Sequence, residues 1–225
     1  MIWSKETDDT SWRAAGDPAG PAATPKGVRR PIGTTNSSGR EPVQSGRVPR
    51  RSLLAMQSSP EALVLSGTYG AGKSAVAEEI ADILEARGAP FAAIDLDWLS
   101  WSNVPGTNHG ELELLVANLE AVVTNYRAAG VRLFVLAYAL ADLATLEAIR
   151  TVMAMPVRVV RLTVPIATIE ERLGSAPTRG RADDLVRARE WVAKGIDAGL
   201  EDVEVENVGQ LRDTATRTLT AIGWA

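Results

Sequence analysis

A cluster of glycines followed by a lysine and a serine is the stretch of this sequence best suited to chemistry. Gly67, Gly72, Lys73 and Ser74 fit the spacing G-x-x-x-x-G-K-[ST], with Gly70 as a third glycine between them. Glycine accepts positive φ and lacks a Cβ, so successive backbone N–H groups can point at phosphate oxygens. Lys73 would reach the β- and γ-phosphates of a nucleotide such as ATP, and the Ser74 hydroxyl would bind Mg²⁺. The spacing therefore predicts a nucleotide-phosphate site.

The flanking residues favour this interpretation over a glycine-rich turn that merely joins two elements. Residues 62–65 form a short apolar run, typical of a buried parallel strand. Apolar residues then recur at helical spacing: Val76, Ile80, Ile83 and Leu84. A helix opening at Lys73 would add its unpaired N–H groups and the positive end of its dipole to the site. The residues predicted to contact the nucleotide here are Gly67, Thr68, Tyr69, Gly70, Ala71, Gly72, Lys73, Ser74 and Ala75.

Two carboxylates stand where the second predicted strand ends. The run at residues 90–95 reads as that strand, and Asp95 and Asp97 close it. Ligands bind beyond the carboxyl ends of parallel strands, and an i, i+2 spacing in extended chain points both side chains the same way. We expect Asp95 to share Mg²⁺ with Ser74, and Asp97 to accept the proton of an attacking hydroxyl. The alternative is that one or both only cap the following turn.

A basic connection at residues 174–181 supplies candidate catalytic cations. It contains Arg179 and Arg181, follows Arg172, and includes glycines and a proline that suit a flexible lid. An arginine that closes over the phosphates would neutralise charge developing in the transition state and help to exclude water. A solvated loop in an arginine-rich chain is an equally open interpretation.

Aromatic residues and the single histidine are weaker candidates. Trp98 and Trp101 directly follow the carboxylates and could line an acceptor pocket, although packing inside the protein is the favoured interpretation for large aromatics. His109 has no partner pattern around it, so a surface role at a helix start is favoured over catalysis.

Strand and helix patterns alternate from residue 60 onward, which predicts an α/β domain with a parallel sheet covered on both faces. Residues 1–55 differ: six of the twelve prolines lie in the first fifty residues, and no apolar periodicity is present. We expect this extension to be disordered, with residues 56–225 as the folded domain. The position of Met56 just before the first strand also favours an over-extended start site.

Composition limits the partners. The chain has a formal charge of −4 and no cysteine, which gives no electrostatic reason to expect nucleic acid or a membrane surface and excludes disulfides. No apolar run approaches the length of a membrane span, so a cytoplasmic protein acting as a monomer or homodimer is expected. The basic run at residues 40–51 leaves nucleic-acid binding as a weak alternative, with a solvated linker favoured.

Four segments taken together resemble one branch of the P-loop proteins. They are GTYGAGKS, IDLD on the second strand, LTVPIATIEERL before the arginine-bearing loop, and VENVG before a last helix. This combination is similar to the nucleoside-monophosphate-kinase-like group, which includes shikimate kinase, gluconate kinase, adenylyl-sulfate kinase, chloramphenicol phosphotransferase and nucleotide kinases. The resemblance covers roughly residues 60–225 and implies a five-stranded parallel sheet in the order 2-3-1-4-5 with a short lid.

By motif position, the resemblance also implies roles for particular residues. Arg172 resembles the arginine that packs on adenine at the lid base, and Arg179 or Arg181 resembles a lid arginine. Asn207 falls where the adenine-edge loop lies. The third strand departs from the pattern, because its first carboxylate is delayed to Asp142, and no distinctive acceptor signature is present.

The sequence therefore predicts an ATP-dependent kinase that transfers the γ-phosphoryl group to a hydroxyl of a small molecule or nucleotide. Its expected partners are the nucleotide, Mg²⁺ and a small-molecule acceptor. A nucleotide-binding ATPase or switch without a phosphoryl acceptor is the alternative.

Overall fold

The computed structural model describes residues 59–102, 110–174 and 179–225. The extension at residues 1–55, the basic run at 40–51, Met56 and His109 lie outside the described residues, as do residues 175–178 of the predicted lid.

Five strands form one parallel sheet in the order β2-β3-β1-β4-β5, which confirms the predicted topology. The strands are β1 (Glu61–Ser66), β2 (Phe91–Asp95), β3 (Leu133–Ala137), β4 (Val157–Thr163) and β5 (Val203–Glu206). The helices are α1 (Lys73–Ala86), α2 (Asp97–Ser100), α3 (Glu111–Ala128), α4 (Leu143–Met153), α5 (Ile166–Gly174), α6 (Arg179–Lys194) and α7 (Leu211–Ala221).

The central strand β1 explains the layering, because its side chains alternate between two cores. Ala62 and Val64 belong to a buried cluster with residues of α3 and α4, such as Leu119 and Ile149. Leu63 and its neighbour two residues on belong to a second cluster with α1 and α7. Since successive side chains of a strand point to opposite faces, an apolar strand needs helices on both sides. The three-layer architecture predicted from the apolar strands is confirmed.

Element boundaries follow local signals. Gly88 ends α1 with a φ of +67°, and its N–H donates to Glu85 O at 2.8 Å. Asp142 caps α4, because its Oδ1 accepts from Thr145 N at 2.7 Å. The lid prediction needs correction: α5 extends to Gly174 and α6 begins at Arg179, so the two predicted lid arginines belong to a helix instead of to the basic connection expected at residues 174–181.

Trp224, near the end of the chain, forms hydrogen bonds at the amino end of β1. Trp224 Nε1 donates to Glu61 Oε2 at 2.9 Å, and Arg87 Nη1 donates to Trp224 O at 2.6 Å. This clasp lies at the start of β1, at the end of the strand away from the glycine loop. Among the described residues, no helix is both long and apolar enough to pass through a bilayer.

Candidate functional site

The glycine loop lies between β1 and α1, and its glycines are required by close packing. Gly67 has a φ of +134°, and a Cβ built there would lie 2.6 Å from Leu162 O. Gly72 has a φ of +89°, and its Cβ would lie 2.6 Å from Asn207 Nδ2. Side chains at either position would therefore collide with β4 or with the segment after β5, in a backbone conformation that already disfavours them.

Lys73 is the first residue of α1 and turns back over the loop. Its Nζ donates to Gly67 O at 2.9 Å and to Thr68 O at 3.1 Å. Burial lowers the pKa of Lys73, while the charges of Asp97 and Asp95 oppose that effect. The carboxylates at the end of β2 therefore stabilise the ammonium form, which is the form that binds phosphate.

Ser74 joins the loop to the second strand. Its Oγ donates to Asp95 Oδ2 at 2.7 Å, across a sequence separation of 21 residues. A hydroxyl and a carboxylate oxygen at this distance are two oxygen donors of the kind that Mg²⁺ prefers. The predicted metal pair is thus brought together, and it sits beside the first turn of α1.

Asp97 is placed differently from the prediction. Leu96 adopts a helical conformation (φ −73°), so Asp97 begins α2 instead of extending β2, and the expected alignment of the two carboxylates in extended chain is wrong. The Asp97 N–H donates to Asp95 Oδ1 at 3.1 Å. Asp95 therefore uses one oxygen to cap the turn and the other to contact Ser74, so the cap is present and the metal-binding role of Asp95 stays a prediction.

Electrostatics set Asp97 apart from its neighbour. Burial and the charge of Asp95 raise the pKa of Asp97, and Lys73 partly opposes the effect. A carboxyl whose pKa is raised toward neutrality is better suited to accept a proton than an ordinary aspartate.

Arg172 and Asn207 tie the loop to the far side of the sheet. Arg172 Nη1 donates to Gly70 O at 3.2 Å, and its Nη2 donates to Asn207 O at 3.1 Å. Asn207 is 1% exposed, and its Nδ2 donates to Ala71 O at 2.7 Å. Both residues assigned by resemblance therefore lie against the glycine loop. Their contacts show a structural role in holding it.

The two predicted lid arginines lie in a helix. Arg179 is the first residue of α6 and Arg181 the third, and their side chains lie outside the described part of the chain. The same helix brings another arginine to the loop: the Arg187 guanidinium carbon lies 5.7 Å from the centre of the Tyr69 ring. Lys73 Nζ lies at 5.7 Å from the same ring. Arg187 is a site residue that the sequence reasoning missed.

The contact between Tyr69 and α6 is supported by packing. The Trp191 ring meets Tyr69 edge-on with centroids 6.0 Å apart, and Trp191 is buried. Asp184, one turn before Arg187, adds to the electrostatic field that favours the charged form of Lys73 and, after burial and Asp95, raises the pKa of Asp97. The spacing i, i+3, i+7 of these residues on one helix face was a signal available in the sequence.

Tyr138 was also missed. It directly follows β3, the strand between β1 and β2, and its backbone N–H donates to Leu65 O at 3.0 Å. Burial and the charge of Asp97 raise the pKa of Tyr138. A phenol is therefore held at the carboxyl end of an interior strand, within electrostatic reach of the carboxylates, where the sequence pattern showed no acidic residue.

The expected packing of Trp98 and Trp101 is wrong. Trp98 is 67% exposed and Trp101 is 74% exposed, and their ring centroids lie 5.0 Å apart. The apolar residues that bury themselves here are Leu96 and Leu99, which contact the core beneath β2.

The sequence of this chain matches no family model and no curated protein. Solved structures match its fold. The tunicamycin resistance protein of Deinococcus radiodurans is 16% identical, with a TM-score of 0.52 over 75% of this chain and 98% of that one. A sugar kinase from Janibacter sp. HTCC2649 is 18% identical, with a TM-score of 0.54 over 75% and 96%. The shikimate kinase from Bacteroides thetaiotaomicron is 19% identical, with a TM-score of 0.50 over 72% and 98%. The fold is that of the P-loop kinases.

The residues of this P-loop fit a nucleotide and a metal. Gly67, Gly70 and Gly72 have φ values of +134°, +77° and +89°, and such left-handed backbone lets successive N–H groups turn toward a phosphate. Thr68 Oγ1 is buried and makes no hydrogen bond with any described residue, so it is a donor available to a ligand of the loop. Ser74 Oγ and Asp95 Oδ2 would hold Mg²⁺, which usually binds through one or two protein oxygens together with substrate phosphates and water.

Proposed function

We propose that the protein is an ATP-dependent kinase that transfers the γ-phosphoryl group to a hydroxyl of a small molecule or nucleotide. The observation that supports this best is the hydrogen bond of 2.7 Å from Ser74 to Asp95, because it joins the phosphate loop to the carboxylate at the end of β2. Asp97 lies two residues further along, at the start of α2. Its pKa is raised, and its carboxylate interacts electrostatically with the charge of Lys73. A site built only to bind nucleotide has no need of a base beside its phosphate loop.

Each residue has a defined part in the proposed transfer. Lys73 and the loop N–H groups hold the β- and γ-phosphates, and Ser74 and Asp95 would hold Mg²⁺. When bound, the metal neutralises charge on the phosphate oxygens. Asp97 takes the proton of the acceptor hydroxyl while the oxygen of that hydroxyl bonds to the γ-phosphorus. The bond from the γ-phosphorus to the β,γ-bridging oxygen breaks, and ADP leaves.

Arginines complete the proposed site. Arg172, in the last turn of α5, would contact the nucleotide, and its hydrogen bonds to Gly70 O and Asn207 O support this role because they keep its guanidinium against the loop. Arg187 approaches the loop from α6, and Arg179 and Arg181 begin the same helix. Positive charge arriving from α6 would stabilise the transferring phosphoryl group.

The proposed partners are the nucleotide and a small acceptor, with no nucleic acid or membrane, for a monomer or homodimer in the cytoplasm. The formal charge of −4 is consistent with this, because binding to polyanions requires a basic surface.

The test is formation of ADP and of a phosphorylated product, measured by mass spectrometry against a library of hydroxyl compounds with Mg²⁺ and ATP. We expect at least one acceptor to be phosphorylated by the wild-type protein, and Asp97→Asn to reduce its turnover by roughly 100-fold or more. Asp82→Asn is the matched control, because Asp82 is an exposed carboxylate further along α1. ADP formation that is independent of every acceptor and equal in Asp97→Asn would refute the proposal and favour a simple ATPase.

A further inference from the structure

Two exposed tryptophans lie on the element that carries Asp97. We propose that Trp98 and Trp101 form the binding surface for the acceptor, and that the acceptor is a hydroxyl compound containing a flat ring. This inference rests on the proposed function, since it names the substrate class of the same site. It uses residues to which the catalytic proposal gives no part.

The outward direction of the two indoles is fixed by what lies beneath them. Leu96 is 0% exposed, and Leu99 packs against the core cluster between the sheet and α3. Asn118 Nδ2, on α3, donates to Leu99 O at 2.6 Å and anchors the short helix. Because the leucines occupy the buried face of this segment, the tryptophans are held on its solvent face.

The aromatic surface lies one helical turn from the proposed base. The Trp101 N–H donates to Asp97 O at 3.1 Å, so the second indole follows Asp97 by one turn. The two indole centroids are 5.0 Å apart with their planes inclined at 43°, which makes one joined surface instead of two isolated side chains. Because residues four apart lie on the same side of a helical turn, a ring bound to this surface would lie near the proposed base.

The exposure of these rings indicates a ligand of matching chemistry. Trp98 is 67% exposed and Trp101 is 74% exposed, although an indole is among the side chains with most apolar surface to bury. Indole faces favour offset stacking with aromatic or heteroaromatic rings, and the apolar face of a pyranose offers a similar flat surface. An acyclic polyol offers no such face. The occupant is therefore assigned as the ring-bearing acceptor, and self-association of the chain through the same surface is an outcome that the test can distinguish.

Binding is tested first without catalysis, by tryptophan fluorescence of the wild-type protein. The probes are nucleosides, aromatic alcohols and phenyl β-D-glucoside, compared with sorbitol and glycerol as ringless compounds. We expect quenching by ring-bearing probes only, and loss of that quenching in Trp98→Phe/Trp101→Phe. Trp191, which packs on Tyr69 of the glycine loop, remains in this variant, so quenching that persists would report binding at the loop instead. Trp224→Phe is the matched control, because Trp224 contacts Glu61 at the opposite end of β1.

Affinity and kinetics then separate the surface from the catalytic groups. We expect Trp98→Ala/Trp101→Ala to raise the Kd and KM of the ring-bearing acceptor by about ten-fold or more, with the KM for ATP unchanged. The Phe double variant should recover most of the affinity, since it restores aromatic faces. Both changes are at exposed positions, so the Tm should stay within a few degrees of the wild-type value.

Several results would overturn the inference: no ring-bearing probe binds, only acyclic acceptors are phosphorylated, or the Ala double variant binds the acceptor as the wild type does. A change of oligomeric state in light scattering with no change in acceptor Kd would instead assign the surface to self-association. Failure of the kinase proposal looks different. Ring-bearing probes would still bind to the tryptophans, with no phosphorylated product formed.

Discussion

Replacing Gly72 by alanine tests whether the loop is held by its contact with Asn207. In the structure, a Cβ at Gly72 would lie 2.6 Å from Asn207 Nδ2 at a φ of +89°. Asn207 must then move, and its hydrogen bond of 2.7 Å to Ala71 O is lost. The perturbation therefore has two parts, a backbone conformation unsuited to alanine and a buried carbonyl without its donor.

The two parts can be given magnitudes. A left-handed conformation costs an L-residue about 1–2 kcal/mol relative to glycine. A buried acceptor left without its partner costs about 1–3 kcal/mol. We expect the free energy of unfolding to fall by about 2–5 kcal/mol, which lowers the Tm of a domain of this size by roughly 5–15 °C.

Gly88→Ala is the matched control. Gly88 also has a positive φ, +67°, but a Cβ there meets nothing within 4 Å. It should show the conformational cost alone, about 1–2 kcal/mol. Urea unfolding of both variants measures the difference, and Gly72→Ala combined with Asn207→Ala should lose less than the sum of the single changes. Equal destabilisation by the two glycine replacements, or strict additivity in the double variant, would show that the Asn207 contact does not hold the loop.

Three further predictions concern charge in the site. Lys73→Met should abolish the rise in Tm that ATP produces, because the ammonium that holds the phosphates is lost. Without nucleotide two effects oppose each other: a buried ammonium is removed, but Gly67 O and Thr68 O lose their donor, so the Tm should change by only a few degrees. A rise in Tm with ATP equal to that of the wild type would contradict the role of Lys73. Because burial raises the pKa of Asp97 above its ordinary value of 3.8, kcat/KM should fall as the pH drops through this raised pKa. Asp97→Asn should remove this fall at low pH. A pH profile unchanged by the substitution would exclude Asp97 as the base. Arg187→Leu should lower kcat by about 100-fold with little change in Tm. The control is Arg189→Leu, which breaks only the ion pair with Glu170, whose two side chains are about half exposed, and should change kcat less than about two-fold. Equal effects of the two substitutions would show that Arg187 has no role in the site.

Local patterns in the sequence were enough to predict the fold and the phosphate loop. The central strands β1 and β3 are mainly apolar runs, and α1 is followed by Gly88, a residue typical of helix ends. The spacing from Gly67 to Ser74 specifies a loop conformation directly, since positive φ at fixed positions is a local requirement. The sheet order came from resemblance instead, because parallel pairing joins residues far apart in the sequence.

The remaining parts of the site depend on contacts that no local pattern encodes. Tyr138 enters the site because β3 lies between β1 and β2, and Arg187 enters because α6 packs on Tyr69. The error at Asp97 has a local cause: the side chain of Asp95 accepts from the Asp97 N–H, so the chain turns into α2 directly after β2 instead of staying extended. The error at Trp98 arose because burial was inferred from residue type alone, while the neighbouring leucines already fill the buried face.

The two hydrogen bonds of Asp95 have a consequence for how acceptor preference could diverge or be engineered. One carboxylate fixes both Ser74 on the phosphate side and the first N–H of α2 on the acceptor side. The start of α2 is therefore held in a fixed relation to the phosphate loop, while the exposed indoles of Trp98 and Trp101 take no part in that anchorage. Replacement of these two side chains would change which molecule is recognised without disturbing the alignment of Asp97 with the phosphate loop, so anchoring and recognition fall on different residues of one short segment.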